Sequence, residues 1–493
     1  MTTTATPTAR PEDEVLAPLS MLGYGLQHIL AMFGGVIAVP LIIGGAAGLG
    51  PEDKALLISC ALFVSGVATL LQTIGVPFFG SQLPLVQGIS FAAVSTMLSV
   101  IGTAGGGEDG LRTVFGAVIV TGLLGVAISP FFAQVIRFFP PLVTGIIITT
   151  IGISLMPVAV GWITGQAMIN VDGEMVENPN YISSSNLWLA FITLALVLAM
   201  TKTPILSRVA ILLGLVVGTV IALIWGKTNF DLVGDADVAA FPTPFAFGSP
   251  IFEVGAILSM LVVMIVIMVE TTADILAVGE VVGTKVDSRR IGDGVRADML
   301  SSAVAPVFNS FPATAFAQNV GVVALTGVKS RWVVAVGGTV LAVLGLSPML
   351  AAIVNVIPSA VLGGAGIVLF GTVAASGIRT LSKVDYDGNN NLVVVAVSLA
   401  FGLIPIANGE FWSKTPDWFQ TIFDSEISAA AIAAVLLNLF FNVFMPGRPP
   451  EPTDVAAAPA TMVREDEAEV LSEGGSFDAG QPVDAPPGHR SKE

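Results

Sequence analysis

Apolar runs of about 20 residues, the length a helix needs to cross a bilayer, recur along the whole chain between short polar stretches. The pattern predicts fourteen membrane spans, at 17–45, 54–75, 82–101, 112–134, 139–161, 186–201, 204–226, 252–280, 292–310, 312–328, 332–349, 351–375, 391–408 and 427–445. The third and tenth carry a proline and glycines, in QLPLVQGIS and NSFPATAFAQNVG. Both residue types interrupt helices, so these two are expected to be broken spans.

A faint internal repeat supports two halves. PPLVTGIIITTIG (140–152) opens the fifth span and PSAVLGGAGIVLFG (358–371) lies in the twelfth. Each has a proline, a β-branched residue and a glycine in a long apolar run. The two interrupted spans are also seven apart. An odd number of spans per half sets the halves in opposite orientations, an arrangement that builds a site from broken helices near the midplane.

Charge then fixes an expected orientation. With the N-terminus inside, the cytoplasmic side receives Arg10, Arg137, Lys202, Arg208, Lys285, Arg289, Arg290, Arg296, Lys329, Arg331, Arg379, Lys383 and Arg448. The outside receives only Lys54, Arg112, Lys227 and Lys414, while Arg464, Arg490 and Lys492 fall in the tail. That asymmetry follows the positive-inside rule. Acids gather in the outside loops, at Glu52 and Asp53, Glu108 and Asp109, Asp172, Glu174 and Glu177, and Asp231, Asp235 and Asp237.

Composition agrees with a membrane bundle. The 493 residues are 54% hydrophobic and 11% charged, with a mean hydropathy of +0.86. A soluble chain of this size needs far more charge to cover its surface. The N-terminus, MTTTATPTARPEDEV, has no apolar core, so no signal peptide is expected. Residues 446–493 are rich in Pro, Ala, Glu and Asp and read as a disordered, acidic, cytoplasmic tail. The single cysteine, Cys60, excludes an internal disulfide and a cysteine-built metal site, and reads as a small core residue. No metal ligand set is expected.

Polar residues inside spans are the functional candidates, because they are costly in lipid unless partnered. Glu270 lies 17 residues beyond Glu253, roughly 25 Å of helix. Asp274 follows at i+4 on the same face, where two carboxylates repel. Asp298 either pairs with Arg296 at the surface or faces the bundle and carries a coupling proton. Gln318 and Asn319 stand together in FAQNVGVVALTG. Each offers a planar amide with one acceptor and two donors, suited to the edge of a heterocycle or to tying helices together. His28, beside Gln27, is either a proton relay or a structural donor, with the structural role favoured. Phe91, after the break in the third span, is either a lipid-facing or core residue or a ring that stacks on a flat ligand.

These residues resemble a known family. QNVGVVALTG (318–327) matches the signature of the nucleobase–ascorbate transporters, nucleobase:cation symporter-2: Gln, Glu or Pro, Asn-x-Gly, four residues, Thr, then Arg, Lys or Gly. LQHILAMFGGVIAVPLIIG (26–44), QGISFA (87–92), ETTADILAVGE (270–280) and RADMLSS (296–302) also look like its segments. The resemblance covers about 17–445 and implies an all-α polytopic protein with a 7+7 inverted repeat, usually a homodimer. Spans three and ten would hold short strands. It implies a core domain at 17–134 and 252–349 and a gate domain at 139–226 and 351–445, preceded by a cytoplasmic segment, 1–16.

The same resemblance implies proton- or sodium-coupled import of purines, pyrimidines or ascorbate. Glu270, Gln318, Phe91, Gln87 and the backbone at Ala317 would contact the substrate. Asp298, Asp274, Asn319 and His28 would couple the proton or support the site. Uracil carriers of the family typically have Glu first in the signature and His one turn after the span-eight Glu. Gln318 and Asp274 instead resemble the bacterial uric acid and xanthine branch. The terminal Thr326-Gly327 departs from members with Arg or Lys there. Other classes fit less well. An anion exchanger or channel of similar build needs cations at mid-membrane, whereas every Lys or Arg falls near a span end. No HExxH, nucleophile–base set or phosphate loop suggests an enzyme, and no pattern suggests nucleic-acid binding.

Overall fold

The computed structural model describes residues 10–132, 139–165, 168–171, 174–178, 181–203, 206–235, 237–387 and 389–444. The acidic tail expected from 446 onwards and Arg137 lie outside the described residues. The first part of the chain forms α1 (Pro18–Ala46), α2 (Pro51–Ile74), β1 (Gln87–Ile89), α3 (Val94–Thr103) and α4 (Gly107–Ile128). It continues through α5 (Pro141–Ser154), α6 (Met156–Thr164), β2 (Met168–Val171), β3 (Glu174–Glu177), α7 (Ser184–Thr201) and α8 (Ala210–Ile224). The later part forms α9 (Val254–Val282), α10 (Ser288–Val304), β4 (Ala313–Ala315), α11 (Ala317–Thr326) and α12 (Arg331–Gly345). It ends with α13 (Pro348–Asn355), α14 (Ser359–Leu381), α15 (Asn391–Ala407), α16 (Asp417–Phe423) and α17 (Glu426–Asn438).

Among the described residues, eight helices are long and apolar enough to cross a membrane, or nine if α12 and α13, bent by 83°, form one broken span. The expected span at 351–375 is corrected. The chain breaks at Pro358, which cannot continue a helix, and α14 runs to Leu381. Residues 351–355 belong instead to α13, whose start is set by Ser347 capping the Leu350 N–H. The β2–β3 hairpin and the short α16 lie in polar loops that the hydropathy pattern leaves blank.

Packing follows two sets of helices. α12 lies against α1 and α2, and α4 lies against α9 and α10. α14 packs on α5, α7 and α8, while α17 packs on α5 and α15. Small residues permit the closest approaches. A Cβ at Gly66 of α2 would fall 2.3 Å from the Ala342 nitrogen of α12. One at Gly152 of α5 would fall 2.2 Å from the Ala374 nitrogen of α14.

Candidate functional site

The two interrupted segments meet inside the bundle. β1 and β4 pair antiparallel, Gln87 with Ala315 and Ile89 with Ala313. Bonds from Ser90 N to Pro312 O (2.8 Å) and from Phe316 N to Val86 O (3.1 Å) extend the pairing. Side chains from the helices fix both strands. The Gln87 N–H donates to the Thr69 hydroxyl of α2 at 2.9 Å. Ser302 of α10 donates to the Ala313 carbonyl at 3.2 Å and accepts its N–H at 3.0 Å. Irregular backbone is stable in a membrane only when buried and satisfied in this way. β4 leads directly into α11, and β1 is followed closely by α3. Among the described residues neither helix has a side-chain cap at its N-terminus; backbone carbonyls take the Val94 N–H (Phe91 O, 3.1 Å) and the Asn319 N–H (Phe316 O, 2.9 Å).

Carboxylates gather on one side of this crossing. Glu270, Thr271 and Asp274 come from α9, Asp298 from α10 and Thr314 from β4. Thr271 donates a short hydrogen bond to Asp298 Oδ2, lies 3.5 Å from the Thr314 hydroxyl, and Thr314 reaches Glu270 Oε2 at 3.5 Å. Glu270 and Asp298 are both within electrostatic reach of Asp274. Asp274 and Asp298 are buried, and one oxygen of each, Asp274 Oδ2 and Asp298 Oδ1, has no hydrogen-bond partner among the described residues. The described ion pairs include none of the three acids. Arg296 does not pair with Asp298; it binds Asp293 at 3.0 Å and the Phe78 carbonyl. Three neighbouring acids with no described cation beside them, two of them accepting from hydroxyls, are suited to sharing protons.

On the other side, Gln318 is exposed and lines a cleft of about 290 Å³. Gly35 of α1, Ile211 of α8, Leu369 of α14 and Phe316 complete much of its wall. Its rim reaches Thr201 and Ser207, in the connection between α7 and α8. Ala317 is also exposed. Phe316 lies across the crossing because Gly88 and Gly35 leave room for its ring. A Cβ at Gly88 would fall 2.1 Å from it, and one at Gly35 2.7 Å. Phe91 is 9% exposed, tilted against Phe316 at 6.3 Å and edge-on to Phe370 at 5.9 Å. Gln87 is fully buried, and neither end of its side-chain amide has a partner among the described residues.

The two neighbouring amides therefore differ. Asn319 is 2% exposed. Its Oδ1 accepts a short hydrogen bond from His28 Nδ1, and its Nδ2 donates to the Pro84 carbonyl at 2.9 Å. Asn319 and His28 thus tie α1 and the approach to β1 onto α11. Gln318 is instead exposed and lines the cleft.

The sequence candidates sort into three groups around the strand crossing: the acid cluster, the cleft wall with Gln318 and Phe316, and the His28–Asn319 tie. Glu270 is not among the residues that line the Gln318 cleft. Sequence reading passed over Thr271, Thr314 and Phe316. A signal was present in ETTAD and PATAF, whose hydroxyls neighbour the singled-out acids and amides.

A bundle of long apolar helices with two strand-broken segments crossing beside buried acids defines a multi-pass membrane carrier. The chain belongs to the permease family, whose model matches residues 19–410. It is a transport protein and not an enzyme. It is 41% identical over 441 residues to the uric acid transporter UacT of Escherichia coli (strain K12), covering 88% of this chain and 89% of that one. It is 41% identical over 425 residues to the xanthine permease of Bacillus subtilis (strain 168), covering 86% and 94%. The fold is similar to the transmembrane domain of the cyanobacterial bicarbonate transporter BicA, with a TM-score of 0.58 at 18% identity over 86% of this chain and 99% of that one. A second similar structure is the murine anion transporter Slc26a9 in its inward-facing state, with a TM-score of 0.56 at 16% identity over 87% and 70%.

Proposed function

We propose that this chain is a secondary active transporter that imports a purine nucleobase, uric acid or xanthine, by proton symport. The observation that carries the reading is Gln318. It is an exposed planar amide lining a cleft of purine size at a helix N-terminus without a side-chain cap, while its neighbour Asn319 is engaged elsewhere. A purine rim alternates donors and acceptors, which an amide matches on one edge. Relatives named for uric acid and xanthine support this substrate class.

In this reading Gln318 and Glu270 hydrogen-bond the purine, with Gln87 and the backbone at Ala317 supplying further contacts. Phe91 stacks on it once Phe316 swings aside. Asp298 and Asp274 exchange the coupled proton, and sodium is the alternative ion. Asn319 and His28 hold the strands in register. Nothing in this scheme needs a bound cofactor.

The packing supports fourteen spans in a 7+7 inverted repeat. Replacing each expected span by the one seven further on turns the pair α1–α12 into α9–α4, α2–α12 into α10–α4, and α7–α8 into α15–α17, all of which are in contact. Spans one to four and eight to eleven then form a core domain, and the rest a gate domain. The basic loops put both termini in the cytoplasm. With that orientation the Gln318 cleft opens inward at Thr201 and Ser207. A homodimer is expected from the family resemblance.

An anion exchanger is the second reading, favoured by the two fold neighbours. It would need cations or helix N-termini facing the anion. The N-termini of α3 and α11 meet that need, but the side chains beside them are carboxylates, hydroxyls and amides. The test is uptake of radiolabelled urate and xanthine by expressing cells, with and without a protonophore. Uphill uptake of either, collapsed by protonophore, is the expected result. Bicarbonate or chloride flux with no purine uptake would establish the second reading instead.

A further inference from the structure

At the end of the bundle away from the Gln318 cleft, the two helix sets are joined by a small polar contact. Ser95 of α3 donates a short hydrogen bond to Glu426 Oε2, the first residue of α17. The next residue pair repeats the link, with the Thr96 and Ser425 hydroxyls 2.7 Å apart. Ser95, Thr96 and Ser425 are buried. Ser425 also caps α17 by accepting the Ser428 N–H at 3.3 Å. α3 belongs to the core set and α17 to the gate set, so both bonds cross between domains.

Two further observations surround this contact. A cavity of about 370 Å³ lies beside it, lined by Ser99, Thr103, Ser154, Gln420, Asp424 and Glu426. The segment leading into it, 409–425, folds over the core set, with α16 against α9 and α3. Aromatic contacts stiffen that segment: Phe419 stacks on Phe423 at 4.3 Å, and Trp412 meets Phe411 at 4.7 Å and Phe419 at 5.5 Å.

We propose that Ser95–Glu426 and Thr96–Ser425 are the outer gate of the transporter, with the 370 Å³ cavity as its vestibule. The assignment rests on the transporter reading and its orientation, which put this end outside. The physical argument concerns what separation costs. Parting α3 from α17 without water would strand three buried hydroxyls and a carboxylate, each of which needs a partner. Separation therefore requires the vestibule to flood, which couples outward opening to wetting and gives two discrete states. The 409–425 segment is the lid that moves with α17.

The test uses the full-length protein in intact cells. The native Cys60 is buried, so Ser99→Cys adds one reporter to the vestibule. Its labelling by a membrane-impermeant maleimide measures outward opening without reference to any substrate. Adding Ser95→Ala or Glu426→Ala is expected to raise the labelling rate about tenfold, the factor one lost hydrogen bond gives. Glu426→Gln keeps an acceptor oxygen for Ser95 and is expected to label near the parent rate. Thr96→Val, which removes the second bond with little change in volume, gives an independent rise. Unchanged rates in Ser95→Ala, Glu426→Ala and Thr96→Val, at normal abundance, would overturn the gate. So would labelling confined to inverted vesicles. Gated labelling in a protein that carries neither urate nor xanthine upholds the gate and overturns only the substrate.

Discussion

His28 and Asn319 are 291 positions apart and joined by a buried hydrogen bond. Asn319 is committed a second time to the Pro84 carbonyl, so one of two adjacent amides holds the strand crossing together while the other lines the cleft. This division predicts opposite phenotypes. Asn319→Ala strands the His28 N–H and the Pro84 carbonyl. It is expected to cost about 1–3 kcal/mol, seen as a lower melting temperature in detergent and reduced membrane abundance. Gln318→Ala is expected to keep stability within about 0.5 kcal/mol, as exposed positions do, while uptake falls below detection. Normal uptake by Gln318→Ala would remove Gln318 from the site.

Phe316 crosses the site only because Gly88 offers no Cβ. An added methyl would lie 2.1 Å from the ring, so Gly88→Ala must displace Phe316 or spread β1 from β4. Overpacking of this kind costs about 1–3 kcal/mol. Uptake by Gly88→Ala is expected to fall at least tenfold. Gly88→Ala with Phe316→Leu should recover part of it, because the smaller side chain makes room. No recovery at equal abundance would mean that the strands, not the ring, absorb the strain.

Asp298 accepts from Thr271, and Thr271 also neighbours Thr314, which reaches Glu270. The two acids also lie within electrostatic reach of each other, so the charge on one bears on the other. Asp298→Asn is expected to abolish accumulation against a gradient while substrate exchange in preloaded vesicles continues. Glu270→Ala is expected to abolish both, because that carboxylate also contacts substrate in the proposed site. Retained pH-driven accumulation by Asp298→Asn would exclude Asp298 from coupling.

Much of this arrangement was legible in the chain, for identifiable reasons. A proline and glycines in each of two apolar runs marked the breaks, and the strands β1 and β4 formed at those breaks. Glu270, Asp298 and Gln318 stood out because charge and amides are rare in lipid-length runs. Hydropathy is blind to direction, however, so it did not separate Gln318 from Asn319, whose roles depend on which face of α11 each occupies. It joined 351–355 to α14 because α13 is equally apolar and only Pro358 divides them. It also overlooked Ser95 and Glu426, whose significance appears only when residues 331 positions apart meet.

Two glycines that look alike in sequence separate packing from transport. Gly66 faces α12, and an added Cβ would meet the Ala342 nitrogen at 2.3 Å and the Gly338 carbonyl at 2.6 Å. Both are backbone atoms and neither can rotate away, so Gly66→Ala must push two helices apart. It is expected to lower membrane abundance and melting temperature. Gly321 of α11 lines the Gln318 cleft and, among the described residues, has nothing within 4 Å of an added Cβ. Gly321→Ala gains helix propensity, up to about 1 kcal/mol, while its methyl narrows the cleft. The protein should therefore be as stable as the parent or more so, yet show a raised KM for its substrate. Thermal unfolding measured beside uptake kinetics tests this. If Gly321→Ala lost stability and uptake together, α11 would be packed there rather than open, and the cleft would not be the substrate path.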